Sequence, residues 1–449
     1  MLKKRMIVEL ILIALAVTSV MAQSGRQGNS GTAGKTTISV LNYADMMLVT
    51  DQKWIWDTFR QRNPDVNLVI EDQFNERFHQ KTEAYAASGN LPDVLYVWPS
   101  GWSRSLHRNK QLKDLGPLIM RDGLKSYYSP IAMDPSQQEA NYQAMIPLTM
   151  TASHVFYINM EVLEACGLKP AKTYAELKAQ VPVLKAKGYE TVIMPNNDTW
   201  VMQSCLFSAI AGRFCGVGWE NDILAGKTKF TDTDFVKALD FIRTLYVDGV
   251  LAPSSLNMSY GDGPCLFATN KGAYYIDGDW RVGAFITDTS TGGALISPAR
   301  QVNFKMTVFP DIEGAKLNRS TSVILGTGWA MSAAIPAGSA KEDAAWRLIK
   351  WLTGVEVQTR GVEHGAYSTA ARTDVDFSKL NLEPIQKTAG NMGKEFTAVT
   401  CIIDSVFNSD VFNPINDGLQ KIGLGWKTPQ QVAVDIQRAF DRVKAAGIF

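Results

Sequence analysis

The chain has 449 residues, 46% of them hydrophobic and 20% charged, with Lys+Arg 45 against Asp+Glu 44 and a formal net charge of +1. At roughly 100–200 residues per domain, it is long enough for two or three units with cores of their own. The near-zero balance has no long run of one sign, which gives neither nucleic acid nor an acidic surface a footing as partner.

Met1–Arg5 is a positive n-region, and Met6–Val17 is apolar apart from Glu9. Val20-Met21-Ala22 then sets small or medium residues before Gln23, so residues 1–22 read as a secretory signal peptide cleaved after Ala22. The run is short for a membrane span, which needs about 20 residues. With no Cys at the cleavage site, lipid attachment is not expected. Residues 23–36, with the Gly/Ser-rich SGRQGNSGTAGK at Ser24–Lys35, read as a flexible leader.

Thr37–Leu41 is the first predicted strand. Asp51–Asn63 has helical spacing, with Trp54, Ile55, Thr58 and Phe59 on one face, and Pro64 ends it. Val66–Ile70 is a second strand, Asn75–Ala87 a helix, and Val94–Val97 a third strand. This alternation predicts a parallel α/β layer, and ligands of such layers sit at the carboxyl ends of the strands. Ala144–Leu148 and Ser153–Ile158 are strand-like, and a helix spans Met160–Gly167. Thr173 caps the next helix, with Glu176 completing a capping box. Val192–Met194 and Ala273–Ile276 are further strands, and Asp232–Val247 is an amphipathic helix. Val302–Phe309 reads as a strand. Lys341–Leu352 and Thr428–Ala446 read as helices.

The chemistry of catalysis is thinly represented. The four His are far apart, and there is no HExxH, EF-hand loop, Cys/His cluster, GxSxG or P-loop. No metal and no cofactor are expected. Five Cys leave at least one thiol free, and Cys205 and Cys215 are a possible pair. Asp277-Gly278-Asp279 is the one acid pair at a turn. It offers carboxylates for glycoside hydrolysis, or simply a turn.

Five ordered stretches carry a resemblance. They are ASGNLPDVLYV (Ala87–Val97), PLTMTASHVFYINMEVLEACGLKPAKTYAELKAQ (Pro147–Gln180), FATNKGAYYIDGDW (Phe267–Trp280), GTGWAMSAAIPAGSAKEDAAWRLIKWLT (Gly326–Thr353) and KTPQQVAVDIQRAFDRV (Lys427–Val443). Together they resemble the family 1 extracellular solute-binding proteins of ABC sugar importers, which include maltose- and glycerol-phosphate-binding proteins. The resemblance implies an α/β, two-lobe periplasmic binding protein fold (type II-like) with hinge-crossing strands. Lobe 1 would take residues 37–147 plus 305–362, and lobe 2 residues 148–304 plus 363–449. The crossings would fall near Ala144–Thr149, Val302–Val308 and Gly361–Ser368. The chain departs from the family at Gly326-Thr327-Gly328, where a pair of adjacent glycines is usual.

A sugar needs flat aromatics for its apolar ring face and carboxylates, amides or Arg for its hydroxyls. By the resemblance, Trp280 and Trp200 are aromatic ligand contacts; Asp279, beside Trp280, is a candidate hydroxyl acceptor, and Asp198 is a companion acceptor near Trp200. Asn42, Tyr43 and Asp45 follow the first strand, and Trp98, Ser100 and Trp102 follow the third. Thr151 follows the first crossing, Gly328 and Trp329 the next, and His364, Tyr367 and Arg372 lie near the last. Arg372 is a candidate clamp for a carboxylate or phosphate. The implied function is capture of an oligosaccharide, sugar or polyol in the periplasm by a monomer, and its delivery to an ABC permease. A secreted hydrolase using Asp277 or Asp279 and a sugar-sensing subunit stay open as alternatives.

Overall fold

The computed structural model describes residues 34–447 except 45–51, 100–102, 131, 136–141, 289 and 290. The expected signal peptide and nearly all of the leader therefore lie outside the described residues, as do Asp45, Ser100 and Trp102.

The strands in chain order begin with β1 (Thr36–Tyr43), β2 (Val66–Gln73), β3 (Val94–Val97) and β4 (Met145–Pro147). They continue with β5 (Met150–Ala152), β6 (Val155–Asn159), β7 (Glu190–Ile193) and β8 (Gly272–Asp277). The last are β9 (Phe304–Thr307), β10 (Ser320–Leu325), β11 (Gly328–Met331) and β12 (Ala398–Thr400). The first sheet has the order β2-β1-β3-β11-β4. Its β1, β2 and β3 are parallel, and β11 runs antiparallel to both β3 and β4. The predicted opening alternation is thus present, with helices Gln52–Arg62 and Glu76–Ser88 between the strands. Helix Ala340–Leu352 covers this sheet and buries Trp346, Leu348 and Ile349.

The second sheet has the order β7-β8-β6-β9. All six residues of β8 are buried, as expected for a strand covered on both faces. The period of two decides which side each residue serves. Phe156 and Ile158 join one core with helices Thr233–Val247, Ser409–Gly423 and Pro429–Ala445. Val155 and Tyr157 join a second core with Phe267, Phe285 and Ile385. Helix Pro429–Ala445 opens on a reciprocal capping box between Thr428 and Gln431.

One expectation differs. The resemblance implies a crossing near Val302–Val308 and a first lobe resuming at residue 305, but β9 pairs with β6 in the second sheet. Phe304 and Met306 are buried there while Lys305 is exposed, so hydrophobic alternation holds the strand in place. The chain returns to the first sheet later, through β10 and β11. A three-stranded sheet of order β12-β10-β5 lies at this passage. Outgoing β4–β5 and returning β10–β11 run side by side, joined by Leu148 N–H to Thr327 O and Gly326 N–H to Thr149 O, both 2.8 Å. The third strip is 369–371. The Thr369 hydroxyl donates to Met150 O at 2.7 Å, and Ala371 N–H to Leu148 O at 2.9 Å.

Two buried polar groups pin β10 and its approach. His154 binds the Cys205 carbonyl through Nδ1 at 2.6 Å and accepts the Phe309 N–H on Nε2 at 2.9 Å. Burial lowers its pKa to about 3, so it is neutral. Arg213 is fully buried and donates to Pro310 O and Phe309 O, each at 2.7 Å, and to Ser320 at 3.3 Å. Desolvation draws its pKa down to about 10. The five cysteines are all free, so Cys205 and Cys215 are unpaired.

Arg213→Met should strand the Phe309 and Pro310 carbonyls, at about 1–3 kcal/mol for each buried acceptor left without a donor. The expected outcome is a urea midpoint clearly below wild type, and an unchanged midpoint refutes the anchoring role.

Candidate functional site

A cavity of about 270 Å³ lies where the three chain strips pass between the sheets. Its second-sheet wall is built from the end of β8. Asp277, fully buried, accepts from Arg281 Nε at 2.9 Å, Tyr260 OH at 3.1 Å, Gly278 N–H at 2.8 Å and the Tyr275 hydroxyl. The guanidinium of Arg281 also lies 4.3 Å over the Tyr260 ring. The chain then turns through a short 3₁₀ segment, Asp279–Ala284, which sends Arg281 inward and leaves Asp279 and Trp280 on the cavity.

Trp280 is held in two ways. Its indole N–H donates to Tyr260 OH at 2.6 Å, and its ring lies over Gly278, where a Cβ would meet Cη2 at 2.3 Å. Glycine is therefore required there by close approach. Trp200 stands beside it, 6.3 Å between centroids and tilted by 42°. The opposite wall is an aromatic cluster. Tyr43 stacks on Tyr96 at 5.7 Å and meets Trp98 edge-on at 4.9 Å, and Tyr96 meets Trp329 edge-on at 5.4 Å. Asn42 Nδ2 donates to Asp72 at 2.8 Å and to Gln52 at 3.3 Å.

Of the sequence candidates, Asn42, Tyr43, Trp98, Thr151 and Trp200 line the cavity, as do Asp279, Trp280, Trp329 and Tyr367. Four do not, each for a visible reason. Gly328 sits inside the first sheet, where a Cβ would lie 2.3 Å from the Ile146 carbonyl oxygen. Arg372 is held by Asp374 at 2.6 Å and stacks over Tyr127 and Tyr128. His364 caps the C-terminus of helix Val355–Glu363. Asp198 is bonded to Asn75 and to the Tyr260 backbone, both at 2.9 Å. Asp45, Ser100 and Trp102 lie outside the described residues.

The sequence reading missed several lining residues. Tyr96 shares a strand face with Trp98, two residues on, and the period of two gave that signal. Trp56 lies within helix Gln52–Arg62, and its indole N–H donates to Gln52 at 3.0 Å at the cavity edge. Tyr260, in a loop after Leu256-Asn257, carried no local signal.

The lining charges are mostly acidic. Glu76, Asp279 and Asp404 face the cavity together with Arg360 and His79. Burial lowers the His79 pKa to about 4 and leaves it neutral. Burial, helped by Glu83 and Asp198, raises that of Glu76. The Arg360 guanidinium lies 4.2 Å over the Trp54 ring. Asp279 is pushed up to about 7, chiefly by burial, against the pull of the Ala152 and Trp280 backbone N–H groups. The arrangement offers flat apolar faces, carboxylate acceptors and little to hold an anion. Among the described residues there is no group of three or more His, Cys, Asp or Glu placed to hold a metal ion.

A profile of the family described as "Bacterial extracellular solute-binding protein" matches residues 47–359. The chain is 23% identical over 298 residues to the maltotriose-binding protein of Pyrococcus abyssi (strain GE5 / Orsay), covering 65% of this chain and 56% of that one. The match thus spans little more than half the length of that relative. Among solved structures it is similar to a chitin oligosaccharide binding protein, with 18% identity, TM-score 0.78, and 92% and 99% of the two chains covered. It is also similar to the maltose/maltodextrin-binding domain from Bdellovibrio bacteriovorus bound to maltotriose, with 17% identity, TM-score 0.70, and 91% and 100% covered. At these identities the likeness establishes a shared two-lobe fold.

The raised pKa of Asp279 has a readable consequence. Between about pH 4 and 7 the folded protein keeps a proton that the unfolded chain has lost, so stability falls as pH rises through this window and levels above it. Asp279→Asn removes that loss, which amounts to at most about 4 kcal/mol. Melting temperatures of the ligand-free pair from pH 5 to 8 should diverge, with the variant the more stable at pH 8. Parallel curves would show that Asp279 titrates as an ordinary carboxylate.

Proposed function

From a chain that belongs to the bacterial extracellular solute-binding protein family, we propose capture of a carbohydrate between the two lobes and its delivery to an ABC permease. The observation that carries this reading is the Trp280 plate, fixed by Tyr260 and Gly278 and facing an aromatic wall from the other sheet across one cavity. Stacked rings cover the apolar face of a sugar, and Asp279, Asn42 and Thr151 offer partners for its hydroxyls. We read residues 1–22 as the export signal and the strips at 148–152, 323–327 and 369–371 as the hinge. A ligand that contacts both walls favours the closed form by its differential affinity, and that form is what a permease recognises.

Catalysis is the weaker reading of the acid pair. Hydrolysis asks for two carboxylates flanking a bond, and Asp277 is committed to Arg281, Tyr260, Tyr275 and Gly278. The ligand class follows from the lining. With three carboxylates against one guanidinium, an uncharged oligosaccharide or polyol fits better than a sugar phosphate, and Arg372 is not at hand to clamp one.

A thermal-shift panel of maltotriose, raffinose, chito- and xylo-oligosaccharides, polyols and sugar phosphates tests this. An uncharged member should raise the melting temperature by mass action, and sugar phosphates should not. A flat response across the panel removes the carbohydrate reading. For a binder so found, Trp280→Ala should weaken affinity about tenfold or more, from roughly 1–2 kcal/mol for a stacked aromatic. Its free-protein melting temperature should stay within a few degrees of wild type. Calorimetry showing unchanged affinity would assign Trp280 to the core.

A further inference from the structure

Asn75 stands just before helix Glu76–Ser88, where an Asn side chain ordinarily accepts a hydrogen bond from the first turn. It makes no such bond. Its Nδ2 instead donates to Asp198 Oδ1 at 2.9 Å, from the first lobe to the second. The backbone at Asn75 is held at φ 52° and ψ −135°, a conformation that non-glycine residues rarely adopt. Its neighbour Phe74 packs against the second lobe's core while its ring meets Tyr43 at 5.5 Å. Two adjacent residues of one lobe therefore engage the other, and one of them gives up a helix cap and a relaxed backbone to do so.

The other oxygen of Asp198 points to the stacking plate's support. Oδ2 accepts the backbone N–H of Tyr260 at 2.9 Å. The Tyr260 hydroxyl accepts a hydrogen bond from the Trp280 indole N–H at 2.6 Å and donates to Asp277 at 3.1 Å. Asp198 thus has one oxygen on the opposite lobe and one on the residue that orients Trp280. The geometry points to Asp198 as a positioning residue: with Asn75 it forms an interlobe latch that holds the closed form and couples closure, through Tyr260, to the Trp280 plate. This inference rests on the capture reading of the cavity, but its test uses no sugar.

The experiment compares ligand-free wild type, Asn75→Gly, Asp198→Ala and the double variant. Glycine at 75 accepts the positive φ, so that variant removes the latch without straining the fold. Small-angle scattering reads lobe separation. The Trp280 indole ¹H–¹⁵N resonance, assigned with Trp280→Phe, reads the plate. Wild type should hold a compact population. Each single substitution should enlarge the radius of gyration and move the Trp280 resonance, and the double variant should go no further than the larger single effect. Equal radii in all four proteins, a Trp280 resonance indifferent to Asn75→Gly, or additive effects overturn the latch. A failed sugar panel beside an intact latch would sink only the carbohydrate reading.

Discussion

One buried carboxylate, Asp277, organises the second wall of the cavity. It ends a strand buried along its whole length. A charge in such a place is tolerated only when paired and fully hydrogen-bonded. A guanidinium, two phenols and a backbone N–H converge on it, and the Cys205 thiol lies at 3.8 Å. Tyr275, Gly278 and Arg281 are local to Asp277, whereas Tyr260 and Cys205 come from other stretches of chain, so satisfying one charge ties those stretches to the end of β8. Burial above all raises the phenol pKa values of Tyr260 and Tyr275 well beyond the usual range, which keeps both as donors. Trp280 inherits its orientation from this cluster. Asp277 and Asp279, two residues apart, thereby have opposite duties, one spent on architecture and the other left facing the cavity.

The passage between the lobes follows a different rule. Ser320, Thr321 and Ser322 of β10 are polar and completely buried. Their groups are absorbed by neighbouring chain rather than by water. Thr321 donates to the His154 carbonyl at 2.7 Å, and Ser322 and Thr400 share a contact at 3.4 Å. A passage held by backbone and hydroxyl bonds gains specificity of register without a large apolar contact. Arg213 and the neutral His154 stiffen its second-lobe side.

This contrast explains what was legible in the sequence. The opening strands and helices, β6, β8 and the capped C-terminal helix could be read because apolar spacing and caps report on burial directly. The returning passage could not. A Ser-Thr-Ser run looks like a surface loop, and its burial depends on acceptors far away in sequence. The resemblance puts that crossing at Val302–Val308, in a stretch whose strand pairs with β6 instead. At the site, large aromatics at strand ends were legible, since few other roles suit them there. Charged residues were not, because their role is set by whichever partner is near. Asp374 claims Arg372, Asn75 and the Tyr260 backbone claim Asp198, and none of these pairings leaves a local trace except Arg372 with Asp374.

The place of β11 in the first sheet has a consequence for how the molecule is made. It lies between β3 and β4 and bonds to both, yet it follows them only after the strands of the second sheet have been passed. The lobe that starts at Thr36 is therefore left with a gap in its sheet until Met331 is available, and β3 and β4 wait as unpaired edges. Closing so long a loop is entropically slow, and open edges are where chains join wrongly. The two lobes are separate in the finished protein but interdependent in time, so neither is a natural unit for excision, and synthesis must run past the second lobe's sheet before the first can become whole.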